Sequence, residues 1–138
     1  MSVKKFATHA IELVVPFHDC DMMNVVWHGN YFRYLELARC ALLQTIDYDY
    51  PQMKASGFSW PIIDAQIRYM GSAVYNQTIR IESAITEWEN RLRIDYEIRD
   101  AQSLKRINKA HTIQVAVSMP DGELQLQSPP ILKQRLGL

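Results

Sequence analysis

One helical stretch in the middle of strand-like sequence constrains the fold of this chain most. From Tyr31 to about Ile46, apolar residues recur at intervals of three and four, which is the spacing that an amphipathic helix buries. Few positions in the stretch are strongly polar, so we expect the helix to be buried over most of its circumference. Asn30 stands where a helix N-cap is useful, because its side chain can accept a hydrogen bond from the first turn.

Stretches that alternate between apolar and polar residues lie on both sides of this helix. A period of two is typical of half-buried strands, since successive side chains point to opposite faces. The pattern predicts five strands, over residues 9–17, 62–70, 78–88, 91–99 and 113–119, with a tight hairpin turn at Glu89-Asn90. One helix cannot cover both faces of five strands. We therefore predict an α+β fold, in which the helix packs on one face of an antiparallel sheet and the last four strands follow in hairpin-like order.

Length and charge limit the class of protein. The chain has 138 residues without an internal repeat or linker, so we predict a single domain over residues 1–138. Fifteen basic residues balance fifteen acidic ones, and this neutral total argues against a nucleic-acid partner. A basic region late in the chain forms either a solvated strand face or a contact for phosphate, and its members are Arg91, Arg93, Lys105, Arg106 and Lys109.

Features of the sequence that bear on compartment favour the cytoplasm. Cys20 and Cys40 are too few for a disulfide framework and are not spaced as a zinc site. The N-terminal apolar stretch is interrupted by polar residues and lacks a small-residue cleavage site, which disfavours a signal peptide. We expect a cytoplasmic protein with no membrane span.

The polar loop between the first strand and the helix is the best candidate for a functional site. It contains His18, Asp19, Asp21 and His28, and it ends where the helix begins. A rigid scaffold presents such a loop to ligands. The helix N-terminus also offers unpaired backbone N–H groups, which can polarise a carbonyl or hold an oxyanion.

Each residue of this loop also has a structural explanation. Asp19 and Asp21 can cap the following turn through their own backbone, which turn aspartates commonly do. Asp21 can instead act as a nucleophile or as a general base on water, in which case Asp19 is structural. His28 can donate a ring or backbone N–H to the reacting carbonyl, or it can simply have its hydrogen bonds satisfied at the start of the helix. No spacing matches a known metal site, so we expect no metal and no cofactor.

The segment DCDMMNVVWHGNYFRYLELAR, residues 19–39, resembles the hotdog-fold acyl-CoA thioesterases of the 4-hydroxybenzoyl-CoA thioesterase family. The family pattern runs Asp-x-Asp, a short loop, Val-x-His or a tyrosine, then Asn/Ser-Tyr and a helix with an acid and an Ala-Arg. The residues that match it here are Asp19, Asp21, Val26, His28, Asn30, Tyr31, Glu36, Ala38 and Arg39.

The resemblance implies a hotdog fold, in which a five-stranded antiparallel sheet wraps round one long central helix. It implies a homodimer or homotetramer that hydrolyses an acyl-CoA bound between protomers, without a cofactor. Asp21 would be the catalytic carboxylate, and the backbone N–H of His28 would polarise the thioester. Substrate-binding residues would be Trp27, Gly29, Asn30 and Tyr31. The loop after Asp21 reads Met-Met-Asn where many members have small residues, which predicts a reshaped acyl pocket.

Two other functions fit the same fold. One is hydrolysis of acyl groups from an acyl-carrier protein, which requires a surface that accepts an acidic carrier. The other is a non-catalytic hotdog binding or scaffold protein, which is favoured if Asp21 is exposed to solvent.

Overall fold

The computed structural model describes residues 3–138 as three helices and seven strands. In chain order they are β1 (Ala7–Val14), α1 (Asn30–Thr45), α2 (Tyr50–Ala55), β2 (Phe58–Ser59), β3 (Ile62–Tyr69), β4 (Thr78–Glu87), β5 (Leu92–Asp100), β6 (Arg106–Gln114), β7 (Val117–Ser118) and α3 (Pro130–Arg135). Strands β2 and β7 are two residues each and pair with one another, and Val117 of β7 also forms an isolated bridge with Leu124. The other five strands form the main sheet.

The main sheet is antiparallel throughout, with the strand order β1-β4-β5-β6-β3. Helix α1 lies across its inner face and approaches β1 and β4 most closely. The predicted α+β fold with five antiparallel strands and one long helix is confirmed. The hairpin-like order is wrong for β3, which pairs with β6 rather than with its chain neighbour β4. Strands β1 and β3 are consequently the two edges of the sheet.

Isoleucines on β4 and β5 form the centre of the core. Their inner faces follow the period of two, and the residues that point at α1 are completely buried: Ile79, Ile81, Ile85, Ile94 and Ile98. Full burial of such a side chain contributes about 1.5–3 kcal/mol. The helix meets this surface with Tyr34, Leu35, Ala38 and Leu42, each at most 2% exposed, and the three-and-four spacing of the helix is thus accounted for.

Several predicted boundaries are wrong. The first strand ends at Val14 instead of Phe17, because residues 17–19 form a single 3-10 turn after Pro16. The last long strand runs over 106–114 instead of 113–119. Its two faces are both largely buried, and its inner face carries amides and a hydroxyl, so the sequence shows no alternation there. Gly29 rather than Asn30 is the N-cap of α1.

Basic residues late in the chain lie on or beside the outer face of the sheet, where carboxylates neutralise many of them. Ion pairs join Arg91 to Glu87, Arg93 to Asp95 and Arg106 to Glu97, with N···O distances of 2.9, 3.1 and 3.4 Å. For these three arginines, a solvated face is therefore the better of the two explanations that the sequence left open. Within residues 3–138, no helix is long and apolar enough to span a bilayer.

Candidate active site

The loop between β1 and α1 folds back on itself as a short hairpin, residues 19–27, which we call the site hairpin. The Trp27 N–H donates to the Asp19 carbonyl at 2.9 Å, and the Asp21 N–H donates to the Val25 carbonyl at 2.9 Å. A tight turn closes the tip, where the Asn24 N–H donates to the Asp21 carbonyl at 3.0 Å. Asn24 adopts a φ of 63°, in the left-handed region that asparagine tolerates better than most residues. The hairpin carries Asp21 at its tip and leads directly into α1.

A second loop supports the site hairpin from the side. The Val26 N–H donates to the Ala73 carbonyl at 2.9 Å, and Val25 forms an isolated antiparallel bridge with Val74. The Ala73 N–H in turn donates to the Tyr31 hydroxyl at 3.0 Å. The hairpin, the 73–74 loop and the first turn of α1 are therefore joined by hydrogen bonds into one unit.

Asp19 is a buried anchor between the hairpin and the helix. It is 3% exposed, and its two carboxylate oxygens accept hydrogen bonds from the Tyr34 hydroxyl at 2.6 Å and from the Arg33 guanidinium at 3.1 Å. Its backbone carbonyl accepts a further bond from the Asn30 side-chain amide at 2.9 Å. Burial and the neighbouring Asp19 carboxylate raise the pKa of Tyr34. These contacts give Asp19 a structural role, as the sequence predicted for the case in which Asp21 does the chemistry.

Asp21 lies at the hairpin tip and is only partly exposed. One carboxylate oxygen accepts the Met23 N–H at 2.8 Å. Asp21 thus caps the turn that follows it, as turn aspartates commonly do. No other donor among residues 3–138 bonds to this carboxylate. The single bond fixes the orientation of the group and leaves the second oxygen free to act on a substrate or on water.

Two backbone N–H groups are free where the hairpin meets the helix. The N–H groups on either side, of Trp27 and Asn30, donate to the carbonyls of Asp19 and Trp27 at 2.9 Å each. Those of His28 and Gly29 donate to no acceptor within residues 3–138. The first turn of α1 contains no acidic residue, so no side chain of that turn offsets the positive end of the helix dipole. An anion or a polarised carbonyl would be stabilised at this point.

Gly29 is a glycine because an aromatic ring covers it. A Cβ atom at this position would lie 2.3 Å from the nearest carbon of the Trp27 indole, so the ring would have to move to admit it. Its φ of −66° is ordinary, so close approach rather than backbone freedom requires the glycine. The indole itself remains 50% exposed on its other side. The ring therefore lies against the Gly29 backbone and keeps half of its surface exposed to solvent.

The remaining predicted residues occupy different depths. The side chain of Tyr31 is 2% exposed, and burial raises its pKa, so it supports the site from the core and does not line its surface. Asn30 spans the hairpin and the helix through Asp19 and Arg33, which contact its side chain at 2.9 and 3.3 Å. His28 is exposed, and its ring lies next to that of Trp27, with the ring centres 5.1 Å apart and the planes tilted by 49°.

Sequence reasoning missed two tyrosines that position the site. The Tyr34 hydroxyl binds Asp19, and the Tyr69 hydroxyl donates to the backbone carbonyl of His28 at 3.1 Å. Tyr69 lies at the end of β3, 41 residues away in sequence. Helical spacing marked Tyr34 as a core residue, but no local signal links Tyr69 to the loop.

The model of the thioesterase-like superfamily matches residues 15–134 of this chain. The chain belongs to this superfamily. The prediction of a thioester hydrolase is thereby confirmed, and the matched range covers both the site hairpin and the sheet that carries it.

Known proteins of this thioesterase-like group resemble the chain over its length. The crystal structure of a 1,4-dihydroxy-2-naphthoyl-CoA thioesterase from Synechocystis superimposes with a TM-score of 0.83 at 22% identity, over 94% of this chain and 96% of that one. A DHNA-CoA thioesterase from Staphylococcus aureus gives 0.82 at 19%, over 94% and 89%. These likenesses confirm the predicted hotdog fold. A 4-hydroxybenzoyl-CoA thioesterase from Pseudomonas is 28% identical in an alignment of 86 positions that covers 56% of this chain and 57% of that protein.

Proposed function

We propose that this chain hydrolyses acyl-CoA thioesters to the free acid and CoA at the junction of the site hairpin and α1. The observation that carries the proposal is the pairing of two chemical groups on one short segment. Among residues 3–138, one carboxylate oxygen of Asp21 has no partner, and neither do the N–H groups of His28 and Gly29 at the end of the same segment. The relatives named above, which act on CoA thioesters, support the choice of CoA as the carrier of the acyl group.

The two groups suit the two requirements of thioester hydrolysis. The thioester oxygen gains negative charge as the carbonyl carbon becomes tetrahedral, and the free N–H groups of His28 and Gly29 are donors for that charge. The C–S bond then breaks, and the electron pair leaves with sulfur as the CoA thiolate. Because a thiolate is a good leaving group, the site does not need a strong general acid.

Asp21 has two possible roles in forming the new C–O bond. As a general base it takes a proton from water while the water oxygen attacks the acyl carbon. As a nucleophile its own oxygen attacks, and water then cleaves the resulting anhydride. Both routes consume one water and yield the acid, the CoA thiolate and a proton. The free second oxygen of Asp21 serves either route.

The other predicted site residues take supporting roles in this proposal. The exposed face of Trp27 provides an apolar surface beside the donors. Gly29 supplies an N–H group and the room that the indole needs. Asn30 and Tyr31 support the site without contacting the substrate, since their side chains bind the hairpin and the Ala73 loop.

A second copy of the chain completes the site in this proposal. Strand β3 is an edge strand, so one side of its backbone is unpaired, and Ile62, Ile63 and Met70 on or next to it are 43%, 61% and 45% exposed. Met22 and Met23, beside Asp21, are 99% and 77% exposed. Apolar surface of this kind next to a free strand edge favours association. We therefore propose a homodimer that covers the methionines and narrows the acyl pocket. The cytoplasmic location stays a prediction.

Sedimentation measurements test the assembly. The wild-type chain is expected at twice its 16.0 kDa mass, and Ile63→Lys is expected to shift it toward the monomer. Lys109→Glu, on the outer face of β6, is the matched control and should leave the mass unchanged. A wild-type monomer would contradict the proposal, and a mass of four chains would favour the homotetramer.

Thiol release from a panel of aliphatic and aromatic acyl-CoAs tests the activity. Asp21→Asn is expected to lower kcat by about 10²–10⁴-fold while the fold is retained, because the amide neither attacks nor takes a proton. Asp47→Asn is the control, since Asp47 is an exposed aspartate whose side chain, within residues 3–138, pairs only with Arg135, at 3.3 Å. Wild-type turnover in Asp21→Asn would overturn the mechanism.

The same assay separates the two other functions. Turnover with an acyl-carrier-protein thioester but not with the acyl-CoA of the same acyl group would identify the carrier protein as substrate. Background turnover with every thioester, together with retained binding of CoA esters, would identify a non-catalytic hotdog protein.

A further inference from the structure

We propose that Tyr69 is a positioning residue that aims and strengthens the Gly29 N–H as the donor to the thioester oxygen. The inference rests on the proposed function, since it assigns a task to a residue next to the reacting groups. Its basis is a hydrogen bond that joins the sheet edge to the helix start: the Tyr69 hydroxyl donates to the His28 carbonyl at 3.1 Å.

The bond acts on the peptide unit that carries the donor. The carbonyl of His28 and the N–H of Gly29 belong to one planar trans peptide, so they point in opposite directions. Holding the carbonyl, which also accepts the Tyr31 N–H at 3.4 Å, therefore restricts the direction of the N–H. That N–H has no acceptor within residues 3–138, so it is available to a ligand.

Aromatic contacts restrict the same peptide from two further sides. The Trp27 indole lies against the Gly29 backbone, where it excludes a Cβ atom. The Tyr69 ring meets the His28 ring edge-on at 6.2 Å and lies 5.9 Å from the ring of buried Tyr31. Tyr69 is itself 45% exposed, and its backbone in β3 and its contact with buried Tyr31 anchor it beside the junction.

The bond also makes the Gly29 N–H a better donor. A hydrogen bond accepted by a peptide carbonyl draws charge through the peptide and polarises its N–H group. The gain is greatest when the thioester oxygen becomes an oxyanion, so the transition state benefits more than the bound substrate. Loss of the Tyr69 hydroxyl should consequently lower kcat and leave KM nearly unchanged.

Tyr69→Phe is the test, because it removes the hydroxyl and retains the ring and its packing. The expected result is a fall in kcat of about three- to tenfold, in line with the loss of one neutral hydrogen bond. KM, the solution mass and the shape of the pH profile should stay at wild-type values, and loss of the bond should lower the melting temperature by only a few degrees. Tyr75→Phe is the matched control, since Tyr75 is 56% exposed and its hydroxyl bonds to no group within residues 3–138.

A spectroscopic measurement makes the test independent of turnover. The amide resonance of Gly29 in a ¹⁵N–¹H NMR spectrum is expected to move in Tyr69→Phe and to stay in place in Tyr75→Phe. An unchanged kcat or an unmoved Gly29 resonance in Tyr69→Phe overturns the inference, as does an equal fall in the control. A loss confined to KM, or an altered pH profile, overturns it also, because Tyr69 would then bind substrate or transfer a proton.

The outcome for Asp21→Asn separates this inference from the proposed function. If Asp21→Asn is inactive and Tyr69→Phe turns over at the wild-type rate, only the role of Tyr69 is wrong. If the wild-type chain hydrolyses no thioester, the proposed function fails, whereas the Gly29 resonance still reports whether Tyr69 orients that peptide.

Discussion

The inner face of the sheet and the junction of the site hairpin with α1 use apolar residues in opposite ways. Beneath the helix, Ile81 and Ile94 are completely buried within one chain. At the junction, Met22, Met23 and Trp27 are 99%, 77% and 50% exposed. The two aspartates differ in the same way. Both carboxylate oxygens of buried Asp19 accept hydrogen bonds, whereas within residues 3–138 only one carboxylate oxygen of Asp21 does so. The core is complete in a single chain, whereas the junction leaves groups for a ligand and a second copy.

The strongest test of this division is a change in the core. Ile81→Ala is expected to reduce the free energy of unfolding by about 3 kcal/mol, from lost burial and the cavity left behind. The smaller change Ile81→Val should cost about 1 kcal/mol. Urea denaturation measures both, and kcat per folded molecule should be unchanged. A fall in kcat that follows the loss of stability would show that the core and the junction are not separable.

A smaller effect is expected where the Trp27 ring meets Gly29. Gly29→Ala should cost about 2 kcal/mol, because the new methyl group and the indole cannot occupy the same space. In a Trp27→Ala background the same change should be nearly neutral, so a double-mutant cycle by urea denaturation measures the coupling directly. Equal costs in both backgrounds would show that the clash is not what requires the glycine.

The hairpin tip should respond through its backbone. Asn24→Ala is expected to cost about 1 kcal/mol and to lower kcat, since alanine disfavours a φ of 63° and the turn orients Asp21. Asn24→Gly adopts that conformation freely and should retain activity. Thermal unfolding and thiol release measure the pair. An active, stable Asn24→Ala protein would show that the tight turn does not position Asp21.

The smallest effect concerns pH and lies at the far end of β5. The backbone N–H of Ser103, the Gln77 side chain and the backbone N–H of Gln102 donate to Asp100 and lower its pKa from 3.8 to about 2. Its contribution to stability is therefore present above about pH 4 and is lost as the pH falls toward 2. Asp100→Asn should show a slightly flatter loss of stability over this range in acid titrations followed by circular dichroism. A steeper loss than in the wild type would contradict the assignment.

Sequence pattern identified the elements that have one buried face. The three-and-four spacing of α1 predicted residues 31–46, and the helix runs over 30–45. Strands β4 and β5 alternate clearly, and their predicted ranges agree with the observed ones to within one residue. In both cases a solvated face supplies the contrast on which the pattern depends.

The pattern failed where that contrast is absent. Strand β6 buries Ile107 and Ile113 on its outer side, and Asn108, Thr112 and Gln114 on its inner side, so no alternation marks it. The pairing of β3 with β6 joins strands that are distant in sequence, and the pattern of neither strand indicates its partner. The candidate site was found by motif, since Asp21 and His28 lie on one segment. Tyr69 was missed because its contact with His28 exists only after β3 has crossed to the far edge.

The half-exposed indole over Gly29 also gives the protein an intrinsic fluorescent reporter. Of the three tryptophans, Trp60 is 5% exposed and Trp88 is partly buried, so Trp27 at 50% dominates the fraction that a soluble quencher such as acrylamide reaches. Any molecule that covers the junction must shield this ring and shift its emission toward the blue. Titration with CoA, with an acyl-CoA or with the protein itself can therefore be followed without a label.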